Sequence, residues 1–484
     1  MTGQKTKNTR IYTLFLSAVH PVGFEAYQRY HPDIKVMKNQ DILQRVKDEC
    51  KDVLFIGEAS PVKAEEAISN IKEQREDLDG LLVFCREILN LDPIDELIKE
   101  GLPIVAVERP LDHCNTGPFH AYKESKVVTS YLPVYCDKDP KVYSLRIEDI
   151  ARKVKLIDTI SKMKELKVLV VTDKPTLGYF EPIGLQIETS REEYEEVYLD
   201  NLKETLGTEF ITVPQRELFE KTKAADEEEA REVAQKWISE AVALRGTNEA
   251  EVLRSAKLYL GMKELMDEYN CGAITTEGFG WLPLGFQKAV EEGVPSQGMP
   301  TSQLLTDGIA AASETLTDCL ITQQLGLYIT GSAGLLGDYN IDPFINTAII
   351  CHCEGSLKPY QDRPKAPYII RNLPFVEENT GGVCAQSNYP IGETVTVAKI
   401  SMYKKKLSIF TGETVSGEEI FPYWDDVLGR NKVAVKTDAK ALLENVSWET
   451  FGNHRAAFFG DYRQDFKDLA KLIGFEVLEK DRTR

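Results

Sequence analysis

The hydrophobic positions in the first third of the chain fall into short unbroken runs separated by amphipathic stretches. Residues 11–17, 53–56, 81–85 and 104–107 have the length and composition of strands buried on both faces. Between them, residues 61–75 and 93–100 space their apolar side chains as helices do. This alternation predicts a parallel sheet covered by helices. A helical pattern around 147–165 closes the first block, and the alternation then starts again. Residues 167–172, 210–213 and 272–276 predict strands. Two long helices, roughly 224–244 and 248–269, are expected between the last two.

The final third changes character. Residues 301–326 read as one helix carrying Glu314 and Asp318. Short β-like runs follow at 347–351, 394–402, 406–411 and 432–435, punctuated by Gly and Pro. That pattern predicts an antiparallel sheet or barrel. A strand at 455–459 and a helix at 463–473 complete the chain. Three domains are expected, at 1–165, 166–300 and 301–484.

Composition narrows the function. The chain has 484 residues, 42% of them hydrophobic, enough for sizeable cores. Its 58 basic and 77 acidic residues leave a net charge of −19, which argues against nucleic acid and anionic membrane as partners. No apolar run reaches the ~18 residues of a membrane span. The first apolar run is interrupted by His20 and Pro21, which does not suit a secretory signal. Nine cysteines form no disulfide framework. A soluble, reduced, cytoplasmic protein is expected. The charge run Lys221 to Arg231 reads as a solvated helix face.

The stretch I-I-C-H-C-E-G-S, Ile349 to Ser356, looks metal-binding. On a strand, however, Cys351 and Cys353 face one way and His352 the other. No second pair with zinc-finger spacing accompanies them, so packed thiols are the expectation. His352 is different because of its company. Asp338 directly follows Gly337 in G-D-Y-N, after the Gly-rich stretch 330–334. Glu314 lies in A-A-S-E, and His454 in N-H-R-A-A-F-F-G-D. Taken singly, each is as readily a capping or packing residue. Together, carboxylates and imidazoles suit a hard or borderline divalent ion.

These segments, in this order, resemble the L-fucose isomerase and L-arabinose isomerase superfamily, most nearly its fucose-isomerase-like branch. The likeness rests on A-A-S-E-T-L, L-L-G-D-Y, I-I-C-H-C and N-H-R-A-A-F-F-G-D-Y-R, and covers mainly residue 249 onward. It implies an α/β fold of two Rossmann-like parallel-sheet domains followed by a β-rich, barrel-like C-terminal domain. It implies aldose–ketose isomerisation of a monosaccharide at Mn²⁺, or another divalent cation such as Mg²⁺ or Co²⁺. Glu314, Asp338 and His454 match its metal ligands, and His352 matches a further histidine ligand more loosely. A homo-oligomer, up to a hexamer, is implied as well. Two places depart from the family pattern. Thr315-Leu316 stands where Gly-Asp often follows the glutamate, and the segment around Glu277 and Trp281 differs.

The chemistry explains such a set. Moving a proton between C1 and C2 of an open-chain sugar needs an electrostatically stabilised enediolate and carboxylates to carry the proton. Glu314 and Asp338 are the candidate pair. Glu277, Trp281 and Asn453 are candidate substrate contacts, with Tyr339, Trp424 and Trp448 as further aromatic candidates. Two rivals share these features: a non-catalytic sugar-binding or regulatory protein, and a metal-dependent lyase using the same enediolate. The glycines at 331, 334 and 337 lack dinucleotide-binding spacing.

Overall fold

The computed structural model describes residues 8–16, 39–57, 64–85, 92–108, 119, 122, 125–132, 139–173, 190–277, 283–372, 381–421, 423–426 and 431–482. They form two compact units, one of residues 1–165 with 465–476, the other of 166–464 with 477–484.

The first unit is built on a parallel sheet. Its strands are β1 (Thr9–Leu16), β2 (Val53–Gly57), β3 (Gly80–Cys85), β4 (Ile104–Glu108) and β5 (Val127–Tyr131), in the order β2-β1-β3-β4-β5. β1, β3 and β4 are buried almost throughout, as their unbroken apolar runs require. The helix Pro140–Lys164 packs so closely that a Cβ on Gly80 would lie 2.8 Å from Ile157. The chain returns to this unit at its end. Arg152 of that helix meets Asp465 at 3.1 Å and Asp468 at 2.7 Å, on the helix Arg463–Leu472.

The second unit begins with another parallel sheet. It comprises β6 (Lys167–Val171), β7 (Glu209–Val213), β9 (Ala273–Thr276) and β10 (Ala310–Ala312), ordered β10-β9-β6-β7. The intervening β8 (Leu244–Arg245) pairs elsewhere. It joins β13 (Tyr368–Arg371) and β14 (Cys384–Ser387) in a small sheet. Between β7 and β9 lie three helices, Gln215–Ala224, Glu227–Glu240 and Glu249–Glu268. The charged run 221–231 spans a break: Asp226 caps the second helix by accepting from the backbone of Glu228 and Glu229.

The β-rich part is a closed barrel. Its strands are β11 (Leu335–Asp342), β12 (Thr347–His352), β15 (Thr394–Ser401), β16 (Lys406–Val415), β17 (Asn431–Lys436) and β18 (His454–Phe459). Each pairs antiparallel with two neighbours in the ring β11-β12-β17-β16-β15-β18. Closure leaves no open edge among them; β19 (Glu476–Glu479) adds to β16. Alternate residues fill the interior, among them Leu335, Tyr339, Ile350, Val397, Phe410 and Ala457. The fold is therefore α/β with two parallel sheets and a β-rich barrel, as the hydrophobic pattern predicts. Among the described residues, no helix is long and apolar enough to cross a membrane.

Residues 301–326 are not one helix. A helix Gly298–Thr306 stops at Asp307, Gly308 turns with φ +80°, and β10 follows before a second helix, Thr317–Thr330. Three alanines make β10, and alanine's helix preference hides a strand that tertiary pairing with β9 imposes. Gly337 and Asp338 lie inside β11.

Asp318 begins the second of those helices and accepts from the Met402 amide at 3.2 Å. Burial pushes its carboxyl up to about 7, against the hydrogen bonds from Met402 and Tyr198. The folded protein thus holds a proton that the unfolded chain has released, so this group's contribution to stability falls as pH rises toward 7. Asp318→Asn should gain about 1–2 kcal/mol relative to wild type between pH 5.5 and 8.5. Urea denaturation of both proteins at the two pH values measures it.

Candidate functional site

Four segments of the second unit converge: the turn after β10, the middle of β11, the end of β12 and the start of β18. Glu314 has φ +63° and Thr315 φ +56°, two consecutive left-handed residues without a glycine. Such backbone costs roughly 1–3 kcal/mol per residue and persists only where neighbours enforce it. Here they do. The Thr315 amide donates to the Thr276 carbonyl of β9 at 2.8 Å. The Ser313 amide donates to Glu354 Oε2 at 3.1 Å.

The turn sets the Glu314 carboxylate between two imidazoles. Oε1 lies 3.7 Å from His352 Nε2 and Oε2 lies 3.9 Å from His454 Nε2. The two rings sit 5.2 Å apart, edge to face. Asp338 and His454 are direct cross-strand partners, which brings Asp338 Oδ1 to 3.4 Å from His454 Nε2. Asn453 donates its side-chain amide to the same oxygen. Arg455, buried, donates to the carbonyls of Phe451, Gly452 and His454 at 3.1, 2.9 and 2.7 Å. It thereby braces the turn that presents Asn453 and His454.

The structure thus brings together Glu314, Asp338, His352, His454 and Asn453. Glu277 is buried at the end of β9. It accepts from Thr172 (3.0 Å), the Asp173 amide (3.2 Å) and Gln215 (2.8 Å), tying together the ends of neighbouring elements. Trp281 lies outside the described residues. Tyr339 belongs to the barrel core with Trp448 beside it, and Trp424 stacks near Phe421.

The thiols part company. Cys351 packs with Ile349 and Ala434, as expected. Cys353 does not, because β12 ends at His352 and strict alternation ends with it. Its sulfur lies 3.6 Å from His352 Nδ1 and 4.0 Å from Glu354 Oε1. Glu354, fully buried and 3.5 Å from His352 Nδ1, is the site residue that the sequence reading missed. Its signal was only its place directly after C-H-C.

Burial pushes the His454 imidazole down to about 4, against the pull of Glu314 and Asp338, so its ring is neutral at pH 7. Burial also opposes charge on His352, but Cys353, Glu314 and Glu354 outweigh it and hold that ring well above the ordinary value. Donor atoms of Glu314, His352 and His454 all lie within 4.8 Å of one another. Around a divalent ion with bonds of about 2.0–2.2 Å, donors sit about 3 Å apart when adjacent and about 4.2 Å when opposite. The spacings of 3.4–3.9 Å fall between these limits and exceed hydrogen-bond lengths. Oxygen and imidazole donors of this spacing fit a hard or borderline divalent cation.

No protein-family model and no curated protein sequence matches the chain. Among solved structures, an ABC transporter periplasmic solute binding protein from Actinobacillus succinogenes 130z, with bound D-allose, is 12% identical. The match covers 58% of this chain and 82% of that one at a TM-score of 0.15, too low to define a shared fold.

Gly337 sets how closely β11 approaches β12 beside the site. A Cβ there would lie 2.7 Å from the Cys351 backbone, which cannot rotate away. Gly337→Ala should therefore destabilise the protein by about 1–3 kcal/mol, read as a lower urea midpoint with an unchanged slope.

Proposed function

We propose that this protein is a metal-dependent aldose–ketose isomerase of the fucose/arabinose isomerase type, acting on an open-chain monosaccharide. The observation that carries the reading is the convergence of Glu314, His352 and His454, from three separate segments, with Asp338 of a fourth 3.4 Å from His454. Glu314, His352, His454 and Asp338 would hold Mn²⁺ or a similar divalent ion. Such an ion would supply Lewis-acid chemistry there, stabilising the negative charge that develops as the proton moves between neighbouring carbons.

The protein's own groups do the rest. Glu314 lies between the imidazoles with its two oxygens turned to different partners, and carries the proton between the neighbouring carbons. Asp338, the more exposed carboxylate, is oriented by Asn453 and relays the hydroxyl proton. Neutral His454 offers a lone pair at pH 7 because its ring is buried. Thr315 has a left-handed backbone, φ +56°, where the resembling family often has glycine. The resemblance also supports a homo-oligomer. Free thiols at all seven described cysteines agree with a reduced, cytoplasmic setting.

The test compares chelated, Mn²⁺-reloaded and Glu314→Gln proteins for metal content and ketose formation from a panel of aldoses. Mn²⁺-dependent ketose formation, reduced about 10²–10⁴-fold in Glu314→Gln, is expected. Bound metal with retro-aldol cleavage and no isomerisation would favour a lyase. Neither metal nor turnover would leave a sugar-binding protein.

A further inference from the structure

His352 has two ring nitrogens, and they face different donor sets. Nε2 points toward Glu314, and Nδ1 toward Cys353 and Glu354. On the Nδ1 side the three donor atoms are 3.5 Å (N to O), 3.6 Å (S to N) and 4.0 Å (S to O) apart. A tetrahedral ion with bonds of about 2.3 Å to sulfur and about 2.0–2.1 Å to nitrogen and oxygen spaces such donors about 3.3–3.6 Å apart. Two of the three edges already match, and the third needs a shift of a few tenths of an ångström.

The donors are held in place. Glu354 is fully buried and its other oxygen accepts from the Ser313 amide. His352 is 8% exposed, and Cys353 is half-buried.

We propose that Cys353, His352 Nδ1 and Glu354 form a site for a thiophilic divalent cation of the zinc class, exclusive with the hard-cation position on the other side of the same ring. The exclusivity, though not the site itself, rests on the isomerase reading. A neutral imidazole carries one proton. When Nε2 is a ligand, that proton sits on Nδ1 and faces Glu354. When Nδ1 is a ligand, it sits on Nε2 and faces Glu314. A thiophilic cation captured by Cys353 therefore takes His352 from the hard-cation set and inhibits. Binding releases to solvent the Cys353 thiol proton and, from a ring that enters as imidazolium, the proton on His352 Nδ1, as the metal–sulfur and metal–nitrogen bonds form; nothing is oxidised or reduced.

The experiment titrates Cd²⁺ into the reduced, metal-free full chain and follows the ultraviolet cadmium–thiolate charge-transfer band. One equivalent should build the band in wild type and in Cys351→Ser. Cys353→Ser should abolish it, and Glu354→Gln should weaken Cd²⁺ binding at least tenfold while folding, checked by circular dichroism, is retained. Saturating Mn²⁺ should shift the wild-type titration to higher Cd²⁺. An undiminished band in Cys353→Ser, or no band in wild type, overturns the site. A Cd²⁺ titration unmoved by Mn²⁺ that is bound, as seen by electron paramagnetic resonance, overturns the exclusivity. A Cys353-dependent band in a protein that binds no Mn²⁺ upholds the site and counts against the isomerase reading alone.

Discussion

The turn Ser313–Glu314–Thr315 is fixed from two sides by hydrogen bonds to different sheets. Thr315 is tied to Thr276 at the end of a parallel strand, and Ser313 to Glu354 just past the end of a barrel strand. Neither tie alone would hold two consecutive left-handed residues, one of them β-branched. With both in place, the backbone that carries Glu314 is held beside the two imidazoles. The position of that carboxylate depends on the register of β12, because a slip of one residue would move Glu354 and reverse the facing of His352. Barrel closure fixes that register: β12 is paired on both edges, Asp338 opposite Cys351 and Asn431 opposite His352.

The same closure accounts for the electrostatics. Asp338 and His454 face each other because they are register partners, and His352 meets them from the end of the next strand. Burial alone would depress both imidazoles. It prevails at His454, and it is overcome at His352 because Cys353 and two carboxylates crowd that ring. Two histidines of one cluster are thereby driven in opposite directions. One is a ready lone-pair donor, and the other is favoured as a hydrogen-bond donor toward the carboxylates on both sides of its ring.

Much of this was legible in the sequence. Apart from β5 and β10, the strands of the parallel sheets stood out as short apolar runs, most clearly the central ones buried on both faces, as in residues 81–85 and 168–171. Glu314, Asp338 and His352 could be picked out because each interrupts an apolar or small-residue run, and His454 because it comes just before one. What failed were features decided by tertiary contacts. Ala310–Ala312 is a strand only because β9 lies beside it. Cys353 escapes alternation only because β12 stops one residue earlier, and Glu354 looks like any loop carboxylate until Ser313 is found against it.

The distribution of the site along the chain also explains why its signal is thin. Glu314, Asp338, His352 and His454 are spread over four segments, and each segment contributes one or two donors at a fixed height on a strand or turn. Pairing sets those heights through backbone hydrogen bonds, which almost any side chain permits. The flanking positions need only be apolar on the barrel's inner face, as Leu335, Ile350 and Ala457 are, or small where strands close up, as Gly337 is. A constellation held this way constrains few residues in sequence and many in space. The donors can therefore be read one by one, but their assembly follows only from the barrel.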